Sequence, residues 1–91
     1  MLIYTVYLTL PNMSSMKKSK LLKLVGKRIK KVRESKNITQ LQLVINMEEE
    51  AGKFDTTNVS RIESGRTNPT IYTLHRIAEA LDVEISELID I

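Results

Sequence analysis

Apolar residues recur at three- and four-residue intervals along most of this chain, the spacing that places side chains on one face of an α-helix. Over residues 17–36 these positions form one apolar stripe, made of Leu22, Val25, Ile29 and Val32. Shorter repeats predict four more helices, at Gln40 to about Glu49, Asp55–Ser64, Ile71–Leu81 and about Ile85–Ile89. The pattern therefore predicts an all-α domain of five helices over residues 17–91.

Polar residues at the predicted helix boundaries support this interpretation. Thr39, Asp55 and Thr70 stand just before the second, third and fourth helices, where a side-chain oxygen can accept a hydrogen bond from the first turn. Asn37 and Gly65 follow the first and third helices, and both residue types tolerate the left-handed backbone that ends many helices.

The first ten residues follow a different pattern, because they are rich in the β-branched and aromatic residues that favour a strand. A strand needs a partner to be stable. The segment therefore pairs with its copy across a dimer, is disordered, or does not belong to the natural product, for which Met13 and Met16 are alternative starts. Residues 1–16 are accordingly assigned to a short N-terminal extension.

The third predicted helix divides into an apolar and a polar face. Val59 and Ile62 lie three positions apart and anchor one face to a core. The other face carries residues that can form hydrogen bonds with the base edges of a DNA major groove, namely Thr56, Thr57, Ser60 and Arg61. The sequence therefore predicts a DNA-reading helix.

Positive charge is concentrated in the first helix. Residues 17–36 contain ten Lys or Arg residues and one acid, Glu34, whereas residues 37–91 contain four basic and ten acidic residues. This segregation indicates a polyanionic partner for the basic end, and a phosphate-tracking role is predicted for Lys17, Lys18, Lys20 and Lys23. The alternative is a solvated face, although solvated faces more often mix both signs.

Composition argues against several other classes of protein. The chain has no cysteine and one histidine, His75, so neither a disulfide framework nor a metal site is expected. No nucleophile–base set or glycine-rich phosphate loop is evident, so catalysis and cofactors are not expected either. No apolar run approaches the roughly 18 residues of a membrane span. The expectation is a cytoplasmic protein that does not associate with membranes.

Four segments between Val25 and Ile89 carry a resemblance to a known family: VGKRIKKVRES, ITQLQL, NVSRIESGRTNPT and LHRIAEALDVEISELI. In order and spacing they resemble the helix-turn-helix family of phage Cro proteins and repressors, also called the xenobiotic-response-element family. The resemblance implies a five-helix, lambda-repressor-like domain that binds double-stranded operator DNA, usually as a two-fold homodimer.

The resemblance also implies roles for individual residues. Thr56, Thr57 and Arg61 match the positions that read bases, and Gln40 matches a DNA-backbone contact that braces the recognition helix. The residues around Gly65 are suited to phosphates through their hydroxyl, amide and N–H groups. The predicted backbone contacts are Gln40, Asn58, Ser60, Ser64, Arg66, Thr67 and Asn68. Arg33 and Glu63 match a partly buried salt bridge between helices one and three.

The chain departs from the family pattern in two places. Val44 stands where the family has a small residue, and the segment Glu48–Phe54 lengthens the turn between helices two and three. Phe54 is predicted to fill the core beneath this insert. The three glutamates at positions 48–50 are predicted to point away from DNA or to contact another protein.

The sequence thus favours a transcriptional regulator, a repressor or autoregulator that binds a palindromic operator as a dimer. One alternative is the antitoxin of a toxin–antitoxin pair, which a neighbouring toxin gene would indicate. The other is a protein–protein adaptor that has lost DNA binding, which salt-dependent binding to random DNA would contradict.

Overall fold

The computed structural model describes residues 16–47 and 53–90, and this part of the chain contains five helices and no strand. The helices are α1 (Lys18–Ser35), α2 (Gln40–Asn46), α3 (Thr56–Glu63), α4 (Ile71–Leu81) and α5 (Ile85–Leu88). The predicted all-α, five-helix fold is therefore confirmed. The strand prediction and the three glutamates of the insert lie outside the described residues.

The predicted end of α2 at about Glu49 is wrong, because the helix ends at Asn46 with Met47 as its C-cap. The guanidinium of Arg76 in α4 donates a hydrogen bond to the Met47 carbonyl oxygen. A basic side chain that satisfies a terminal carbonyl stabilises a helix end. Periodicity cannot reveal this donor, because it lies 29 positions further along the chain.

Local hydrogen bonds define the starts of three helices as predicted. Thr39 and Asp55 each form a capping box with the residue three positions later, so side chain and backbone satisfy each other in both directions. Thr70 accepts a hydrogen bond from the Thr73 N–H at 3.0 Å. These bonds fix where α2, α3 and α4 begin.

Left-handed residues follow three of the helices. The φ angles of Asn37 and Gly65 are 57° and 75°, as predicted for the ends of α1 and α3. Asp82, at the end of α4, has a φ of 57° and was not predicted, because aspartate is a less common residue at this position.

All five helices contribute to one apolar core. Its buried residues are Ile29, Val32, Leu43, Met47, Val59, Ile62, Ile77, Ala78, Leu81 and Leu88. Half-buried side chains surround them, including Val25, Val44 and Leu74. Phe54 also packs against the core from the end of the insert, in agreement with the sequence-based prediction.

A close backbone approach joins α1 to α3 at Gly26. A methyl group at Gly26 would collide with the carbonyl oxygens of Ile62 and Glu63, which end α3. Glycine inside a helix costs stability relative to alanine. It is needed here because any Cβ would push the C-terminal end of α3 away from α1.

We expect Gly26→Ala to lower the free energy of unfolding by about 1–3 kcal/mol, the usual cost of overpacking. Helix propensity alone would favour alanine by about 1 kcal/mol, so a loss of stability would show that the collision dominates. Thermal and urea unfolding measure the change. Ser19→Ala, at an exposed position of the same helix, is the control and should change stability little. A stabilised Gly26→Ala variant would contradict the close approach.

Candidate nucleic-acid interface

Helix α3 is anchored by one face and presents the other to solvent. Val59 and Ile62 are 1% and 4% exposed. Thr57 and Arg61 are exposed and lie four positions apart, so both project from the same side, one turn from each other. Thr56, in the first turn, is half-buried. Of the three predicted base-reading residues, the fold thus leaves two fully accessible.

A buried ion pair holds the C-terminal end of α3 against α1. The Nε of Arg33 donates to Oε2 of Glu63 at 2.6 Å, and its Nη2 donates to Oε1 at 3.0 Å. The two side chains are 9% and 4% exposed. The hydrogen bond with Glu63 raises the pKa of Arg33 above its ordinary value, so the guanidinium stays charged.

Two further hydrogen bonds extend this pair to α2. Gln40 donates from Nε2 to Oε1 of Glu63 at 3.1 Å, and Arg33 donates from Nη1 to the Ile38 carbonyl at 2.7 Å. Gln40 lies in the first turn of α2, so the Glu63 carboxylate joins that turn to the end of α3. The bracing contact implied by the resemblance is present, and the DNA contact of Gln40 stays a prediction.

The loop after α3 forms a polar edge beside Arg61. Ser64 donates from Oγ to the Arg61 carbonyl at 3.2 Å, and Arg66 donates from Nε to Ser64 Oγ at 2.8 Å. Ser64, Arg66 and Asn68 are exposed, and Thr67 is half-buried. Because Arg66 is exposed and this hydrogen bond uses only its Nε, an anion can reach the guanidinium.

Asn58 and Ser60, the other predicted backbone contacts, are both half-buried. Asn58 has a structural role that the sequence analysis missed, because its Oδ1 accepts from the Asp55 N–H at 2.9 Å in the capping box. The spacing of Asp55 and Asn58, three positions apart, was the available signal.

Two long-range arginine contacts had no signal in the sequence. Arg28 donates from Nε to the Glu87 carbonyl at 2.7 Å, which ties α1 to α5. Arg76 donates to the Met47 carbonyl, which ties α4 to the end of α2, and its guanidinium also lies over the ring of Tyr72 in its own helix. Both contacts position the helices around the site and do not belong to the exposed face of α3.

The described residues give no indication of a metal centre or a membrane span. They contain no group of three or more His, Cys, Asp or Glu side chains that could hold a metal ion. His75 lies on the surface, 3.4 Å from Glu79 in the same helix. None of the described helices is long and apolar enough to cross a bilayer.

The arrangement of α2 and α3 matches a known protein family. The family model described as helix-turn-helix matches residues 29–88. The chain belongs to the helix-turn-helix family. It is thus a DNA-binding transcriptional regulator.

Helix-turn-helix relatives of this chain include two curated proteins. This chain is 37% identical over 67 residues to the HTH-type transcriptional regulator y4dJ of Sinorhizobium fredii. The aligned region covers 74% of this chain and 80% of that protein. This chain is also 34% identical over 65 residues to the immunity repressor protein of Bacillus phage phi105. That aligned region covers 71% of this chain but 42% of the repressor.

A solved structure is also similar. The restriction-modification controller protein C.AhdI from Aeromonas hydrophila superposes with a TM-score of 0.65 and 28% sequence identity, over 74% of this chain and 94% of that one.

We expect Glu63→Ala to destabilise the domain by about 3 kcal/mol, near the lower end of the loss typical when one partner of a buried pair is removed. Arg33 would keep only its hydrogen bond to the Ile38 carbonyl. Chemical unfolding measures the loss. Glu84→Ala is the control, because Glu84 is exposed and makes no side-chain capping bond. An unchanged midpoint in Glu63→Ala would contradict the structural role of the pair.

Proposed function

We propose that this helix-turn-helix protein is a cytoplasmic repressor or autoregulator that binds a palindromic operator as a homodimer and acts without catalysis. The observation that carries the proposal is the polar face of α3, which the buried Glu63 network fixes in position. A fixed helix with exposed hydrogen-bonding side chains is suited to reading one DNA sequence.

In this proposal the N-terminal half of α3 enters the major groove. Thr56, Thr57 and Arg61 contact bases, and the Arg61 guanidinium binds two acceptors of one guanine. Polar side chains on both sides of the helix bind phosphates and set its register. These are Gln40, Asn58, Ser60, Ser64, Arg66, Thr67 and Asn68.

Exposed apolar side chains support the proposed homodimer. Ile71, Tyr72 and Ile89 are 78%, 65% and 47% exposed. Ile71 and Ile89 line a groove of about 320 Å³ whose other walls come from α1, the end of α3, the loop before α4 and α4 itself. A two-fold dimer places two recognition helices on one side of the duplex, which is why its operator is palindromic.

Two of the similar proteins have names that support a role in repression or control, namely an immunity repressor and a restriction-modification controller. The chain spans less than half of the phage repressor, so the proposal concerns the part that they share.

Selection of bound sites from a random DNA pool tests the proposal directly. The expected result is one enriched palindrome, with half-sites about one helical turn apart, or a multiple of it. Failure to enrich any sequence would overturn the proposal and favour the antitoxin or adaptor alternative.

We expect Arg61→Ala to cost roughly 1–3 kcal/mol on the selected site and to relax the preference at one base pair. Arg66→Ala is the matched control, because a phosphate contact carries no sequence information and its loss should weaken specific and random DNA alike. Titrations of the site and its single-base variants at fixed salt measure both effects. Equal weakening of all sites by Arg61→Ala would make Arg61 a backbone contact instead.

We expect Ile71→Glu to weaken dimer formation by about 1–3 kcal/mol or more, because a carboxylate would be desolvated without a partner. The domain should still fold, since Ile71 is 78% exposed. Sedimentation velocity across a concentration series measures association. Leu41→Glu is the control at an exposed position of α2, and equal behaviour of the two variants would contradict an interface at Ile71.

A further inference from the structure

Helix α1 carries a row of lysines along one edge of its buried face. Positions three, four and three residues apart lie on one helical face, and this row, the lysine stripe, consists of Lys20, Lys23, Lys27 and Lys30. All four side chains are exposed. At about 1.5 Å of rise per residue, the stripe is about 15 Å long. Glu34, one turn beyond Lys30, is the acidic residue of this face.

The lysine stripe is not neutralised within the part of the chain that the structure describes. None of its four ammonium groups forms a hydrogen bond or an ion pair with a described residue. The acids that do form ion pairs there, Glu63 and Glu79, are engaged with Arg33 in the core and with His75 and Arg76 on α4. Two acids lie near the stripe without forming an ion pair with it: Glu34 lines a groove with Lys27 and Lys30, and Asp90 lines another with Lys27. The four lysines outnumber these acids, so the stripe is a predominantly positive surface, complementary to a polyanion.

The stripe is also continuous with the proposed DNA-binding face. A Cβ placed on Gly65 would lie 2.7 Å from the Cγ of Lys23 and 2.8 Å from its Cα, so the loop after α3 rests on α1 at this residue. The polar edge made by Ser64 and Arg66 begins at the same loop. A phosphate backbone that follows this edge therefore meets Lys23 next.

We propose that the lysine stripe binds phosphates of the duplex that flanks each operator half-site. The proposal rests on the proposed function, and it extends the DNA footprint beyond α2, α3 and the following loop. Lysine is suited to this role because its flexible ammonium acts as a point charge that needs no fixed geometry. The stripe contributes affinity that is independent of sequence and sensitive to salt, because each neutralised phosphate releases counterions.

The test compares Lys23→Gln/Lys27→Gln with Lys31→Gln/Lys36→Gln, which removes the same charge from α1 and its C-cap residue, outside the stripe. Each protein is titrated against the selected operator alone and against the operator with about one helical turn, roughly 10 base pairs, added at each end. Wild type and control should gain affinity from the flanks, and the stripe variant should lose that gain. Its slope of log affinity against log salt should fall by about 2, at about 0.9 per phosphate.

Several outcomes would overturn the proposal. One is that the flanks do not raise the affinity of the wild type, and another is that they raise the affinity of the stripe variant as much as that of the wild type. The others are that stripe and control variants lose equal affinity, and that the protein joins two duplexes while the flanks have no effect on affinity. Circular dichroism confirms that the variants fold, since all four substituted positions are exposed. The stripe variant should still prefer the selected site over random DNA. A failure of this proposal is therefore distinguishable from a failure of the proposed function, which fails only if the wild type selects no site.

Discussion

The carboxylate of Glu63 is the group on which the geometry of the site depends. It accepts hydrogen bonds from Arg33 and Gln40, and so connects the ends of α1, α2 and α3 at one buried point. A buried ion pair contributes little net stability, because desolvation offsets much of the Coulomb attraction. It is costly to break, however, because removal of one partner leaves a buried charge unpaired. The pair therefore holds the end of α3 against α1 and the first turn of α2.

Backbone contact at Gly26 makes that arrangement possible. Arg33 reaches Glu63 because α1 and the C-terminal end of α3 touch without an intervening side chain. Two consecutive residues of α3 thus contact α1. The Ile62 carbonyl fits closely against Gly26, and the Glu63 carboxylate accepts hydrogen bonds from Arg33. Together they fix the end of α3 in position and direction, and the exposed face of the helix follows from Val59 and Ile62 being buried.

The features that could be predicted from the sequence are those that depend on residues close together along the chain. Caps such as Asp55 and Gly65 act over one turn, and the two faces of α3 follow from its periodicity, so both could be inferred without tertiary contacts. Arg33 and Glu63 are 30 positions apart, and their pairing was predicted only from the family resemblance. Which of Thr56 and Thr57 projects further could not be inferred, because it depends on how deeply the first turn of α3 sits.

Two further differences have one physical origin. The end of α2 and the link from α1 to α5 are both made by arginines that bind backbone carbonyls, at Met47 and Glu87. A carbonyl is present at every residue, so no residue type marks the acceptor and no spacing pattern reveals it.

The same choice of partners explains the charge of the surface. Because Arg28 uses a carbonyl and Arg33 uses one buried carboxylate, α1 is held in the fold with one paired acid from another helix. The exposed lysines of α1 then need no acids nearby to position the helix, and their charge stays available to an external anion. The contacts that hold α1 in place and the lysines proposed to bind phosphates are thus different residues of the same helix.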